Sequence, residues 1–310
     1  MTSFNPSPEE VGVLFSDQWW SNDQATPQVY DDMIAKLTDI TYVTKCDASL
    51  IDSAVLACQH IMDNVPKGGR LLEMACGLGA TTSCISAQGY QVEAFDISVK
   101  AIERAKHLAE SVGQPPEMFR LADQECLSEY PDDSFDGILA MGLFRYLTRS
   151  QQEEAYRQIY RILKPGGKLV ISHENILFNI FALNDDSIGF WADVVESHSS
   201  GHKLLGGKSI YDALNESVTL PKRVYNPLSI SRRMEVQADN PLTYGQLIAD
   251  YGFRLEKILY PYSNIFPPAL ESGVDRNALN ALKKEISLDR ADDWRSMFMT
   301  PQFSAFAQKE

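Results

Sequence analysis

Glu73, Ala75, Gly77 and Gly79 alternate with larger residues along one stretch of the chain, and Asp96 closes the apolar run that follows. Glycine lets a backbone take positive φ and leaves no Cβ between a turn and a ligand. Amides at the start of a helix after such a turn can face a polar or anionic group. A carboxylate at the tip of the next strand can accept hydrogen bonds from ribose hydroxyls. The stretch is therefore suited to a nucleoside. Its spacing departs from the dinucleotide fingerprint, because counting G-x-G-x-x-G from Gly77 and Gly79 puts Thr82 third, where its side chain would crowd a pyrophosphate. A nicotinamide-dependent oxidoreductase is the weaker reading.

Other residues could move a proton or hold a metal. His173 follows the apolar run Lys168 to Ser172 and precedes Glu174, so it is expected to emerge at the crevice mouth as a catalytic general base. A histidine hydrogen-bonded at a strand end is the plainer expectation for the same residue. His198 and His202 could bind a metal on a helix, but Ser199-Ser200-Gly201 breaks the helical spacing and no His-Glu-x-x-His pattern is near, so no metal is expected. The five cysteines, Cys46, Cys58, Cys76, Cys84 and Cys126, form no C-x-x-C pair and read as buried thiols of a reducing compartment.

The elements that must position these residues follow from hydrophobic spacing. Leu71 to Ala75 and Gln91 to Phe95 read as strands separated by a helix, the opening half of a doubly wound α/β sheet. Asp47 to Asn64 has the broad apolar face of a helix that packs on that sheet, and Pro66-Lys67-Gly68-Gly69 turns it into the first strand. Ser98 caps a helix over Val99 to Ser111. Further strands are expected at Met118 to Ala122, Gly137 to Met141, Lys168 to Ser172, Arg254 to Tyr260 and Phe303 to Ala307, with helices over Gln152 to Leu163, Phe178 to Glu196 and from Pro241 to Tyr251.

Taken together, the stretch from Glu73 to Gly79, the lead Asp132-Asp133-Ser134-Phe135-Asp136 and the string Leu163-Lys164-Pro165-Gly166-Gly167-Lys168-Leu169-Val170-Ile171-Ser172 resemble the class I S-adenosylmethionine-dependent methyltransferases. The resemblance covers about 47–172 firmly and 243–260 moderately. It implies a seven-stranded Rossmann-like sheet with an antiparallel last strand and an inserted cap, and S-adenosylmethionine as cofactor. Ala75 stands where the family usually has its first glycine, which asks for a normal backbone angle there. Carried onto this chain, the cofactor-binding residues are Glu73, Ala75, Gly77, Gly79, Asp96, Ile97, Gln124 and Met141. Asp123 either accepts from the adenine amino group or caps a helix. Tyr146 is a candidate for the acceptor pocket, and so are Trp19 and Trp20 if the amino-terminal segment folds over the site as a lid rather than into the core.

The chain then divides into an amino-terminal segment (1–46), a cofactor-binding core (47–173), a cap (174–240) and a carboxyl-terminal part of the sheet (241–310) with a second insertion (261–295). Both insertions leave the carboxyl ends of strands, where ligands of open α/β sheets bind, so they are expected to build the acceptor pocket. A net charge of −14 over 310 residues repels phosphate backbones and anionic membrane faces, which excludes nucleic acid and membrane as first partners. A cytoplasmic location, a small-molecule acceptor and, as an open option, a homodimer are expected. The reading is a methyltransferase acting by in-line displacement on a small polar metabolite, most simply a sugar or natural-product hydroxyl, with base assistance. N- or C-methylation and a non-catalytic S-adenosylmethionine-binding regulator are the alternatives.

Overall fold

A computed structural model describes residues 50–183, 236–261 and 294–310, with a few isolated positions beside them. Trp19, Trp20, Cys46, His198, His202 and most of the amino-terminal segment and both insertions lie outside the described residues, and so do the lid and most of the cap expected there.

Helix α1 (Leu50–Asn64) leads into strand β1 (Arg70–Met74), followed by α2 (Ala80–Ala87), β2 (Gln91–Asp96), α3 (Val99–Ser111), β3 (Phe119–Leu121) and β4 (Phe135–Ala140). Then come α4 (Arg149–Ile162), β5 (Leu163–Asn175), α5 (Phe178–Ala182), β6 (Ala238–Asp239), α6 (Tyr244–Ala249), β7 (Phe253–Leu259), α7 (Ser296–Met299) and β8 (Gln302–Lys309). The strands form one sheet in the order β3-β2-β1-β4-β5-β8-β7, with β6 paired to β5. The pairs from β3 to β5 are parallel, and β8 runs antiparallel to both neighbours. The reversal of strand order at β1 and β4 opens a crevice at their carboxyl ends, the place where such sheets bind ligands.

The expected seven strands are present, and the two-residue β6 makes eight among the described residues. Strand β5 is longer than its apolar run, because Leu163 pairs with Phe135 ahead of the glycine turn and the ladder resumes at Lys168 after a register shift. The helix expected from Phe178 to Glu196 breaks early: it ends at Ala182, and Leu183 takes a left-handed φ of 50°. Parallel strands covered by helices on both faces read as continuous apolar runs, which is why β1, β4 and β5 were legible. Leu72, Met74, Ile138 and Ile171 face α4 and α6, while Leu71, Leu139 and Val170 face α1.

Two polar devices fix the strand ends. Asp136 accepts from the Arg70 amide at 2.8 Å and from Lys164 Nζ at 2.7 Å, tying the starts of β1, β4 and β5 together. Partial burial pushes its carboxyl up, but those two donors prevail and hold it below the usual carboxylate range. Helix α4 begins with a capping box, Thr148 and Gln151 each satisfying the other's backbone N–H. At the outer strand, the pairing of β7 with β8 slips between Leu255 and Lys257, and Glu256 there reaches Lys168 Nζ at 2.7 Å.

Ala75 corrects an expectation. The departure from glycine asks for an ordinary backbone angle, yet Ala75 has φ 54°, beside Gly77 at 54° and Gly79 at 76°. The turn from β1 into α2 is too tight for a right-handed conformation, and packing around it imposes the left-handed one on a residue with a Cβ, at about 1–2 kcal/mol. Removing that Cβ relieves this strain but also loosens the unfolded chain. Ala75→Gly is therefore expected to be neutral or to stabilise by up to about 1 kcal/mol, where the same change in an ordinary helix costs roughly 0.5–1 kcal/mol. Urea unfolding decides it, and a clear loss of stability would mean that Ala75 carries no strain.

Candidate functional site

The turn at the end of β1 is closed by hydrogen bonds. Cys76 N–H donates to the Phe95 carbonyl at 3.0 Å and Gly79 N–H to the Cys76 carbonyl at 3.0 Å. Asp96, at the tip of β2 and 7% exposed, is the centre of this arrangement. Its Oδ2 accepts from Gly77 N–H at 2.9 Å and its Oδ1 from Ser98 N–H at 2.8 Å. Ser98 in turn caps α3, its hydroxyl accepting from Ala101 N–H at 3.2 Å. Burial raises the Asp96 pKa, and the backbone amides of Ser98, Gly77 and Ile97 work against that rise. One carboxylate therefore links the turn, the tip of β2 and the start of α3.

Glu73 lies below the turn, 3% exposed, and accepts a short hydrogen bond from the Thr82 hydroxyl. Burial pushes its pKa up to about 7, against the pull of Thr82. Thr82 thus has a structural partner inside the fold besides occupying the position that a dinucleotide fingerprint leaves to glycine. Cys58, Cys76, Cys84 and Cys126 are buried, and none of them is in a disulfide. Among the described residues no cluster of metal-ligating side chains occurs, and no helix is long and apolar enough to cross a membrane.

The remaining predicted cofactor residues follow the carboxyl ends of β2, β3 and β4. Ile97, Gln124 and Met141 are half-buried. Asp123 caps the short 3₁₀ turn Gln124–Glu129, its Oδ1 accepting from Glu125 N–H at 2.9 Å. After β4, Gly142 donates its N–H to Ser172 Oγ at 2.7 Å, and a Cβ built on it meets nothing within 4 Å. Arg145 forms an ion pair with Glu174, which also accepts from Gln302 Nε2 at 2.8 Å, and its guanidinium sits 4.9 Å from the centre of the Tyr146 ring. Tyr146 is half-buried, and burial raises its pKa.

These residues fit an adenosine-bearing cofactor. A carboxylate offers about four lone-pair sites, and the backbone amides of Gly77, Ser98 and Ile97 that face Asp96 do not use all of them, leaving an acceptor for a ribose hydroxyl. The space above Gly142 lies at the tip of β4, beside β1. The pairing of β1 with β2 sets the turn of Gly77 and Gly79 beside Asp96, and Glu73 braces that turn from beneath through Thr82.

His173 is the second correction. It does not emerge at the crevice mouth; it is 2% exposed, enclosed by Phe144, Tyr244 and Phe303. Its Nε2 lies 2.9 Å from Tyr244 Oη and 3.3 Å from Tyr156 Oη, and its Nδ1 lies 2.7 Å from Asp239 Oδ2. The strand alternation explains this. Residue 173 points to the same face as Leu169 and Ile171, into the core under α4 and α6, whereas Ser172 and Glu174 point the other way. Enclosed in the core beside Tyr244, Tyr156 and Asp239, it does not stand where a general base was expected. Asp239 was missed, since a lone acid inside a long insertion gives no periodic signal.

Residues 72–171 match the family described as "Methyltransferase domain". The chain carries a class I S-adenosylmethionine-dependent methyltransferase domain, with S-adenosylmethionine as its cofactor. It is 24% identical over 211 residues to YqeM of Bacillus subtilis (strain 168), a protein whose name places it among methyltransferases; the match covers 66% of this chain and 82% of that one. It is 32% identical over 117 residues to the ubiquinone biosynthesis O-methyltransferase of Xanthomonas oryzae pv. oryzae (strain PXO99A), covering 37% of this chain and 47% of that enzyme. In fold it is similar to the crystal structure of the [4+2]-cyclase SpnF, with a TM-score of 0.51, 14% identity, 98% of this chain and 97% of that one covered.

Two measurements test the site. Asp96→Asn keeps the shape but replaces the charged acceptor, and is expected to weaken S-adenosylmethionine binding about 10- to 100-fold in a calorimetric titration, the range for a hydrogen bond to a charged group. Glu73 has a folded pKa of about 7 against 4.5 in a free side chain, so the folded state holds a proton that the unfolded state has lost between those values. Its contribution to stability is thus complete below pH 4.5 and lost as pH rises to 7, on the order of 3 kcal/mol in all. Urea unfolding from pH 5 to 8 should show this fall, and Glu73→Gln should flatten it.

Proposed function

We propose that this protein transfers the methyl group of S-adenosylmethionine to a small polar metabolite, through a hydroxyl of a sugar or natural product, by in-line displacement. The observation that carries the reading is the Asp96 carboxylate, held by Gly77 and Ser98 amides with lone pairs to spare at the mouth of the crevice. When bound, the cofactor supplies an activated methyl group on a sulfonium. The chain supplies a cradle and a fixed direction of approach, and alignment of two reactants is worth about 7 kcal/mol or more, against a general base's 10² to 10⁴ in rate, roughly 3–5 kcal/mol.

The acceptor class rests on three supports. The chain is strongly acidic, with a net charge of −14, which disfavours polyanionic substrates. The tip of β4 reads Met141-Gly142-Leu143-Phe144 and lacks the Asn/Asp-Pro-Pro-Tyr/Phe motif of amino-group methyltransferases that act on nucleic acid or protein glutamine. The relative from Xanthomonas oryzae is an O-methyltransferase of ubiquinone biosynthesis. We further read Met141, Asp123, Gln124 and Ile97 as cofactor contacts, Tyr146 as a wall of the acceptor pocket, and the insertions from β5 and β7 as its cover. A cytoplasmic location belongs to the same reading, with a homodimer as an open option.

The fold alone does not select the reaction, since a [4+2]-cyclase shares it. The test is therefore chemical. The purified chain is incubated with S-adenosylmethionine and a panel of hydroxylated metabolites, and acceptors are scored by mass gain of one methyl group together with release of S-adenosylhomocysteine. A methylated product that disappears with Asp96→Asn supports the assignment. Cofactor binding with no methylated product, or a preference for NAD over S-adenosylmethionine, removes it.

A further inference from the structure

The crevice residues account for one end of β5; the buried cluster around His173 is a separate feature that methyl transfer does not use. It joins four elements. Arg149, first residue of α4, places Nη1 2.6 Å from Asp239 Oδ1 and donates through Nη2 to the Ala238 carbonyl at 2.8 Å. Asp239 Oδ2 lies 2.7 Å from His173 Nδ1, off the line of the ring N–H, so the pair is a contact between a carboxylate and the ring's dipole more than a straight hydrogen bond. On the far side of the ring, His173 Nε2 meets the Tyr244 hydroxyl at the start of α6, which meets the Tyr156 hydroxyl from α4 at 3.0 Å. A proton on Nδ1 faces the carboxylate and leaves Nε2 to accept from Tyr244. Burial pushes both phenols far up, so they stay protonated donors. Burial also raises Asp239, but His173 and Arg149 prevail and hold it below the usual carboxylate range.

What this cluster grips is the neck of an insertion. Chain leaves β5 at Ile176 and returns at Gln237, and the two ends meet there. Ile176 N–H donates to the Asp239 carbonyl at 3.1 Å, and Gln237 N–H to the Arg145 carbonyl at 2.8 Å. The returning strand β6 has only two residues, too few to hold itself to β5 by its ladder. Side chains add to that hold, and among the described residues Arg149 and His173 supply it. Removing one partner of such a buried charged group leaves the other uncompensated, which is far costlier than losing a surface pair.

We propose that His173 is a positioning residue: through Asp239 and Tyr244 it fastens the neck of the 176–237 insertion to the tip of β5, and so sets where the wall of the acceptor pocket stands. The second clause rests on the reading that this insertion covers the acceptor. The neck itself is fixed without reference to any substrate. The cofactor turn, on β1 and β2, lies outside this linkage.

Hydrogen exchange on the full chain tests it, read at the peptides that contain the Ile176 and Gln237 amides and compared with those of β1 and β2. His173→Phe keeps an aromatic ring among Phe144, Tyr244 and Phe303 but removes both polar contacts, and Asp239→Asn breaks the same pair from the other side. Both are expected to speed exchange at the neck about tenfold or more while leaving β1 and β2 unchanged. His173→Gln, which restores one hydrogen bond, should recover part of the protection. S-adenosylhomocysteine serves as the probe of the cofactor site and should bind all variants within about twofold of the unaltered chain. Unchanged neck exchange in both His173→Phe and Asp239→Asn overturns the proposal, and so does loss of protection throughout the sheet in both. Failure of the unaltered chain to bind S-adenosylhomocysteine would instead count against the methyltransferase reading and leave the exchange comparison intact.

Discussion

The cofactor site depends on a buried carboxylate satisfied by backbone. Asp96 is almost fully enclosed, and a charge there is tolerated only because amides from the turn and from the start of α3 are aimed at it. Those amides are where they are because Gly77 and Gly79 take left-handed angles and Ser98 begins a capped helix. The turn, the tip of β2 and the first turn of α3 therefore stand or fall as one unit. Glu73 and Thr82 brace the same unit from beneath by tying β1 to α2.

The sheet was largely legible from the sequence and the reason is burial. β1, β4 and β5 are covered on both faces, so their apolar runs had no competing explanation, and the Pro-Gly-Gly turn before Lys168 marked where a helix gives way to a strand. The cofactor turn was legible because glycines and a strand-tip acid are local signals. Ala75 misled for the same reason that it is informative: sequence reports the preference of a residue, whereas the turn imposes an angle against that preference. His173 misled because its position along the chain, next to the strand end, says nothing of which face it points to until the register with β8 is known. Asp239 and the pairing of Arg145 with Glu174 were out of reach, since they depend on contacts between segments far apart in sequence.

The two ends of β5 do different work. At its start, Lys168 meets Glu256 and the turn before it ties back to Asp136 through Lys164, an arrangement that holds strands in register. At its tip, alternate residues face opposite sides: Ser172 supports Gly142 over the crevice, and Glu174 holds Arg145, while His173 and Asn175 fasten chain segments that lead to both insertions. Asn175 Nδ2 donates to the Thr300 carbonyl and its Oδ1 accepts from Leu177 N–H, so the roots of the two excursions are anchored on a single residue pair of one strand. A frame that rigid at its base can carry chain of very different shape above it without disturbing the donor's cradle.

The outermost strands bear on how the molecule behaves in a crowded solution. β3 contributes only three residues at one border of the sheet, and β7 at the other is interrupted by its slipped register and studded with Arg254, Glu256 and Lys257. Among the described residues, neither border presents the long, flat, apolar ribbon on which a foreign strand could grow. The folded protein is in this way insulated against fibre-like stacking, and its hazard on heating is confined to the inner strands, which come into view only once the helices above them have let go.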